Sequence, residues 1–442
     1  MTVASGISPT AFAQVHAVAD AVLYEGYVLY PYRKSSGKNR VRWQFGVLAP
    51  KQWLAGQGPL DETSLAGSSE SWFQQTDCLV EARPSAAVTV RLRFLQVLAK
   101  AVERRVGSGY EPVDALETGG RRYLSFDEAL PREHDVAATV ADLLAGERRF
   151  LVAFPGLEEA EDVPGGIGRI VRRSQQVDAV VIMSAQAIPA PFPLLRLRVR
   201  VENTVGSVPR ETSREQALRQ AMLATHTVLA ISDGEFLSLL DPPQWAATAA
   251  RECTNVHAFP VLAGPPGTGS LMLSAPIIMY DHVQIAPESP GDLHDGGEID
   301  EILSLRTLTL TEEEKAEARA TDPRTAAIVD RVDAMPPEAF GKLHGAIRSL
   351  RAASPSSAPD SVIVDGCRIT IGATVRLRPR RHGTDAQDMF LAGRTATVSD
   401  ILLDVSGSRF VAVTLDDDPG RDLLAAWGRS YQFAPDVIEA LR

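Results

Sequence analysis

The densest collection of side chains able to do chemistry lies between residues 281 and 301. Two histidines, His282 and His294, stand there with Asp281, Glu288, Asp292, Asp295, Glu298, Asp300 and Glu301, and Pro287, Pro290, Gly291, Gly296 and Gly297 force a defined loop. Hard carboxylate oxygens together with imidazole nitrogens are the raw material of a divalent-metal site. The same groups can instead recognise another protein, or lead as a solvated acidic loop into a helix N-terminus, where carboxylates complement the helix dipole. No strict ligand spacing is present, so recognition of a partner by Asp281, His282, Glu288, Asp292, His294 and Asp295 is the preferred functional reading. Whether the loop takes a metal stays open.

Other constellations are weaker. The stretch from Gly264 to Ser270, GPPGTGS, has the glycines of a phosphate-binding loop, but Ser270 stands where the phosphate-neutralising lysine belongs and Leu271 where the metal-holding hydroxyl belongs. A tight turn is expected there, and no nucleotide site. Cys253 and His257, four apart, could share a helical face as half a metal site or as a nucleophile with its base. No second ligand pair and no Gly-x-Ser-x-Gly elbow accompany them, so a buried thiol beside a satisfied histidine is expected. His226, near Ile231-Ser232-Asp233-Gly234, is assigned to structure. Arg376, Arg378 and Arg380 form a basic edge near the C-terminus that could touch an acidic protein or RNA; solvated loops are the simpler reading.

The elements that must position these groups are mostly strands. Leu195, Leu197, Val199 and Val201 alternate with Arg196, Arg198, Arg200 and Glu202, and Val90, Leu92 and Phe94 alternate with Arg91 and Arg93. That period of two predicts half-exposed antiparallel sheet. Residues 22–30 and 40–48 read as a hairpin around residues 35–38, and helical patterns fall near 97–105, 134–146 and 211–224. Thr311 with Glu314 forms the pattern of a capping box, Asp322-Pro323 can open a further helix, and a third follows Pro336-Pro337 with Phe340, Leu343, Ile347 and Leu350 on one stripe. The expected fold class is α+β: a strand-rich antiparallel body with peripheral helices over 1–351, divisible near residue 205, a Pro/Ser-rich linker over 352–361, and a small SH3-like β-barrel over 362–442.

A length of 442 residues calls for more than one domain, and a composition 45% hydrophobic and 23% charged is that of a folded protein. The net charge of −11 argues against nucleic acid and anionic membranes as partners. No apolar run is long enough to span a bilayer, and residues 1–22 lack the pattern of a secretory signal. Three widely spaced cysteines suit a reducing compartment. A cytoplasmic protein is therefore expected, and no cofactor is implied.

Two groups of segments resemble known proteins. Residues 375–379 (VRLRP), 388–398 (DMFLAGRTATV), 412–420 (AVTLDDDPG) and 433–436 (FAPD) resemble the tail appended to actinobacterial hydrogenase maturation endopeptidases. Residues 276–282 (PIIMYDH), 286–292 (APESPGD) and 298–310 (EIDEILSLRTLTL) resemble an accessory protein encoded alongside such nickel–iron hydrogenases. The endopeptidase's catalytic domain has no counterpart in this chain, so no protease residue carries over. The resemblance implies a non-catalytic assembly or maturation factor that binds a hydrogenase subunit or a maturation protein. The rival reading is a metal-dependent hydrolase or metal-binding protein that uses the 281–295 loop; RNA binding through the basic edge is a third.

Overall fold

The computed structural model describes residues 12–336 and 361–441, except 14, 41, 59, 61–69, 207, 286–288, 290, 296–299, 365, 379–390, 392, 404–408 and 418–430. The chain divides into two compact units, Met1–Ala346 and Ile347–Arg442. The fold is α+β, built from antiparallel sheets with a few short helices. Among the described residues no helix is long and apolar enough to cross a membrane. The stretch 352–360, the helix expected after Pro336-Pro337, and Arg380 lie outside the described residues.

Two sheets build the first unit. One has five strands in the order β13-β1-β11-β10-β7: β1 (Phe73–Ala82), β7 (Arg148–Phe154), β10 (Val177–Ile188), β11 (Leu194–Asn203) and β13 (Gly234–Leu237). The other runs β14-β15-β12-β2-β9-β8, comprising β2 (Ala87–Val106), β8 (Leu157–Asp162), β9 (Gly168–Ser174), β12 (Leu223–Ile231), β14 (Phe259–Ala263) and β15 (Leu271–Ala275). β3 (Gly109–Val113) and β6 (Phe126–Thr139) also pair with β2, and β4 (Ala115–Thr118) with β5 (Arg121–Leu124) forms a separate hairpin. Every strand pair is antiparallel. Strands from both sides of residue 205 share both sheets.

The alternation in the sequence explains the core. On β11, Leu197, Val199 and Val201 point into one buried cluster with Cys78, Val80, Val90, Leu92, Leu229 and Met272, drawn from both sheets. Each such side chain stabilises the unit by roughly 1.5–3 kcal/mol when it leaves water. The intervening arginines find carboxylates: Arg198 meets the buried Asp77 at 2.7 and 2.8 Å, and Arg196 meets Glu252 at 2.6 Å. Arg93 is itself buried, held between Asp20 and Glu133. The outer face of β12, β14 and β15 is covered by Phe12, Val15, Ala19 and Val22, which pack on Val228, Ala230, Leu271 and Leu273.

A second cluster holds Tyr27, Tyr32, Trp43 and Trp53 against Leu293, Leu303, Ile328 and Val329. It seats three helices, Asp300–Leu308, Glu312–Thr321 and Pro323–Asp333. The middle one begins with the expected capping box. The Thr311 hydroxyl accepts from the Glu314 N–H, and the Glu314 carboxylate accepts from the Thr311 N–H. Asp322 caps the third, with Pro323 at its first position, where a missing N–H costs nothing.

Three local expectations are corrected. Residues 22–30 and 40–48 do not form a hairpin: His16–Tyr24 is a helix, and the described residues after it form turns and irregular chain, with a 3-10 helix at Gly37–Arg40. The Asn39 side chain accepts from the Leu29 N–H and donates to the Leu29 and Arg33 carbonyls, the role a partner strand would play. Residues 97–105 are the second half of β2 rather than a helix, because β9 and β3 pair with it on its two sides. The other two helical patterns hold shorter helices than expected, one following the end of β6 and the other flanked by turns ahead of β12. Only Val140–Ala145, capped by Thr139, and Arg214–Leu218, capped by Ser213, are helical.

The second unit has a hairpin of β16 (Ser361–Val364) and β17 (Cys367–Thr370) beside a five-stranded sheet. That sheet runs β21-β20-β19-β18-β22, from β18 (Thr374–Leu377), β19 (Thr395–Leu403), β20 (Arg409–Leu415), β21 (Tyr431–Phe433) and β22 (Ile438–Ala440). Val375, Leu377, Val398, Val411, Val413 and Ile438 fill its core. Among the described residues the hydrogen-bonded ladder stays open at β21 and β22.

Candidate functional site

The acidic loop leaves the sheet at Ala275 and is fastened in two places. The first fastening is Asp281. Its Oδ2 accepts from the Ser238 hydroxyl at 2.5 Å, and its Oδ1 accepts from the Leu262 N–H at 2.7 Å. Ser238 in turn accepts from the N–H groups of Leu240 and Asp241. His282, at φ +57°, donates its N–H to the Leu262 carbonyl at 2.7 Å, and its Nδ1 lies 3.2 Å from the Gly264 carbonyl. Both backbone groups of Leu262 on the outer edge of β14 are thereby satisfied, which closes an edge that would otherwise invite another strand.

The second fastening joins residues 291–295 to the aromatic segment near the N-terminus. Asp292 accepts from the His294 N–H at 2.8 Å, and its other oxygen lies 3.0 Å from His294 Nδ1. Burial pushes the Asp292 carboxyl up, but His294 beside it and Arg331 hold it below the usual carboxylate range. The buried His294 ring sits between Tyr24 and Tyr27, with centroids at 5.7 and 6.4 Å, and its carbonyl accepts from the Gly26 N–H. Asp295 accepts from the Tyr30 N–H at 3.0 Å, and the Tyr32 hydroxyl donates to the Leu293 carbonyl at 3.1 Å. Asp300 and Glu301 fall in the first turn of the following helix, where the dipole favours them.

The loop residues therefore divide between two anchors. Asp281 and His282 bind β14, while Asp292, His294 and Asp295 bind the segment from Tyr24 to Tyr32. Glu288 lies outside the described residues. Among the described residues, no group of three or more His, Cys, Asp or Glu side chains is placed to hold a metal ion. In the second unit, Arg376 and Arg378 both approach Glu439, at 3.6 and 2.8 Å, so the basic edge is partly neutralised.

The remaining motifs are structural. Gly264–Ser270 is the turn from β14 to β15, with Thr268 donating twice to the Pro265 carbonyl. Cys253 and His257 do not share a helical face, because the helix Ala247–Arg251 has ended and His257 sits at φ +56°. Burial pushes the Cys253 thiol up to about 11. His226 is fully buried with Nδ1 2.9 Å from the Ala224 carbonyl, and burial pushes it down to about 4.

One feature escaped the reading of residue types. Between the end of β15 and the Asp281 anchor, Ile277 and Met279 pack inward while Ile278 and Tyr280 are 77% and 62% exposed. Leu240, whose N–H is tied through Ser238 to Asp281, is 59% exposed, and Ile285 follows beyond the anchor, also exposed. The signal was present in PIIMY, an apolar run that continues past the strand with no polar residue on its outward positions.

No family model matches this chain, and no curated protein matches it. Among solved structures there is a weak likeness to the secretin InvG of the Salmonella SPI-1 type III secretion injectisome, in its open gate state. Sequence identity is 7% and the TM-score is 0.15, over 46% of this chain and 56% of that one. A likeness at that level carries no argument about fold or function.

Proposed function

We propose that this chain is a non-catalytic assembly or maturation factor for a nickel–iron hydrogenase, acting by protein–protein contact. The observation that carries the contact reading is the strip of Ile278, Tyr280, Leu240 and Ile285, large apolar side chains exposed beside a doubly bonded carboxylate. Single exposed apolar residues are ordinary, but three within residues 278–285, with Leu240 tied to the same carboxylate, are the kind of surface that a partner can cover. A tyrosine among them is typical of such contacts, offering apolar area and a hydroxyl together.

The choice of partner rests on the resemblance of residues 276–282, 286–292 and 298–310 to a hydrogenase accessory protein. The first of those segments carries Ile278, Tyr280 and Asp281. Polar groups at Asp281 and His282 would supply the rim of the contact, and a hydrogenase subunit or maturation protein would cover its apolar part. The C-terminal unit is read as an SH3-like barrel. Its strand order, with the last strand pairing the first of the five and a 3-10 turn at Pro435–Val437 just before it, supports that reading. Through Arg376, Arg378 and Arg380 it would add a second contact and raise the effective concentration of the first.

The test is genetic complementation. Cells lacking this gene receive either the wild type or the double variant Ile278→Asp with Tyr280→Asp, and hydrogenase activity is measured at matched protein levels. The proposal expects activity from the wild type and at least a tenfold deficit from the variant. Full activity with the variant removes the strip from the account, and full activity in the deletion itself removes the hydrogenase assignment.

A further inference from the structure

A cleft of about 1170 Å³ lies in the first unit, bordered by β2, the start of β6 and the helix Arg214–Leu218. Six cationic side chains line it, Lys34, Arg42, Lys100, Arg173, Arg214 and Arg219, against three carboxylates. Three further carboxylates, Glu70, Glu128 and Glu158, pair with these cations from beyond the wall, so what sets the cleft apart is two particular guanidiniums rather than net charge.

Four of the six are neutralised by direct ion pairs: Lys34 with Asp114, Lys100 with Glu128, Arg173 with Glu158 and Arg214 with Glu70. Arg42 and Arg219 differ. Arg42 is only 6% exposed, with its guanidinium 3.9 Å from the Phe126 ring centroid and 4.5 Å from that of Trp43. Its Nη2 donates to the Asp127 carbonyl, while its buried Nη1 has no hydrogen-bond partner among the described residues. Burial pulls Arg42 below its ordinary pKa, against the opposing pull of Tyr27, Asp127, Asp322 and Glu128. Arg219 approaches the carboxylates of Asp127 and Glu215 only at 3.9 and 3.8 Å, beyond hydrogen-bond length, and its buried Nε is likewise unpartnered. Both arginines converge on Asp127, one on its carbonyl and the other on its side chain.

Leaving buried guanidinium N–H groups unpaired is costly, and a ligand that pairs them recovers that cost. A planar guanidinium fork matches the oxygens of a phosphate or carboxylate better than any other common group. We propose that the cleft binds a small molecule bearing phosphate or carboxylate groups, with its oxyanion held between Arg42 and Arg219. The volume leaves room for an organic body beyond the anion. This site is independent of the protein-contact strip and does not rest on it.

The test is isothermal titration of the full chain with pyrophosphate and, separately, citrate, at low ionic strength and again with added salt. The proposal expects saturable, salt-weakened binding of at least one probe. Binding of pyrophosphate alone points to a phosphorylated ligand, and binding of citrate alone to a polycarboxylate. Arg219→Gln, at a side chain 35% exposed, is expected to keep the fold and weaken binding at least tenfold. Arg42→Lys, which keeps the charge but loses the fork, provides a second variant with the same expectation. Binding of neither probe, or unchanged affinity in a folded Arg219→Gln, overturns the proposal.

Discussion

Replacing Asp281 by Ala removes two hydrogen bonds at once, from the Ser238 hydroxyl at 2.5 Å and from the Leu262 N–H at 2.7 Å. Both are accepted by a carboxylate, and bonds to charged groups contribute about 1.5–3 kcal/mol each when buried. Asp281 and Ser238 are only partly buried, so the lower end applies, and relaxation of Ser238 toward water offsets part of the loss. A cost of about 2–3 kcal/mol remains, much of it from the stranded Leu262 N–H. At roughly 2.1 cal/mol/K per residue, a unit of 346 residues loses about 1.4 °C in Tm per kcal/mol, so a fall of about 3–4 °C is expected. Asp281→Asn retains one acceptor and is expected to cost about half as much. Combining Asp281→Ala with Ser238→Ala is expected to be less than additive, because the two groups share one bond. Calorimetry of the wild type, the three single variants Asp281→Ala, Asp281→Asn and Ser238→Ala, and the double variant checks this. A shift below 1 °C for Asp281→Ala, or strict additivity in the double variant, refutes the anchor and with it the reason that Ile278 and Tyr280 stay exposed.

Asp77 accepts both Arg198 bonds and one from the Thr254 N–H while fully buried. Asp77→Ala is expected to cost about 2–3 kcal/mol, discounted for the half-exposed arginine, and urea denaturation measures it. His226, down at about 4 in the folded chain against an ordinary 6.5, is neutral when folded and protonated when unfolded between those values. Stability is therefore complete above about pH 6.5 and declines as pH falls toward 4, by up to about 3 kcal/mol from this one group. In His226→Gln that part of the slope is expected to vanish from denaturation curves taken across the window; an unchanged slope contradicts it. The Cys78 thiol, buried and pushed well up, is expected to resist iodoacetamide at pH 8 until the unit unfolds, as peptide mass spectrometry would show.

The antiparallel sheets were legible in the sequence where one periodicity dominated. Leu195 to Val201 and Val90 to Phe94 alternate so regularly that their strands follow from burial alone, and the Thr311–Glu314 box is a purely local device. The sequence misled where tertiary pairing overruled a local pattern. Residues 97–105 carry helix-compatible spacing, yet two neighbouring strands claim their backbone. The 22–48 region has strand-like composition, but Asn39 and the aromatic cluster supply what a ladder would. The acidic loop stood out in the sequence because Pro, Gly, His and carboxylates are concentrated there. The work of its carboxylates did not, because Asp281 is held by residues 43 and 19 positions away, and Asp295 by Tyr30, 265 positions away. The unpaired guanidiniums of the cleft were equally hidden, since Arg42 and Arg219 meet only through Asp127.

The most direct test of partner binding is quantitative co-purification. The tagged chain and its Ile278→Asp/Tyr280→Asp variant are isolated from cells making the hydrogenase, and hydrogenase subunits and maturation proteins are quantified by mass spectrometry. Burying Ile278 and Tyr280 at a contact is worth roughly 1.5–3 kcal/mol each, so the account predicts a hydrogenase component retained by the wild type and depleted at least tenfold with the variant. Absence of every such component from the wild-type preparation, or equal recovery with the variant, would contradict it.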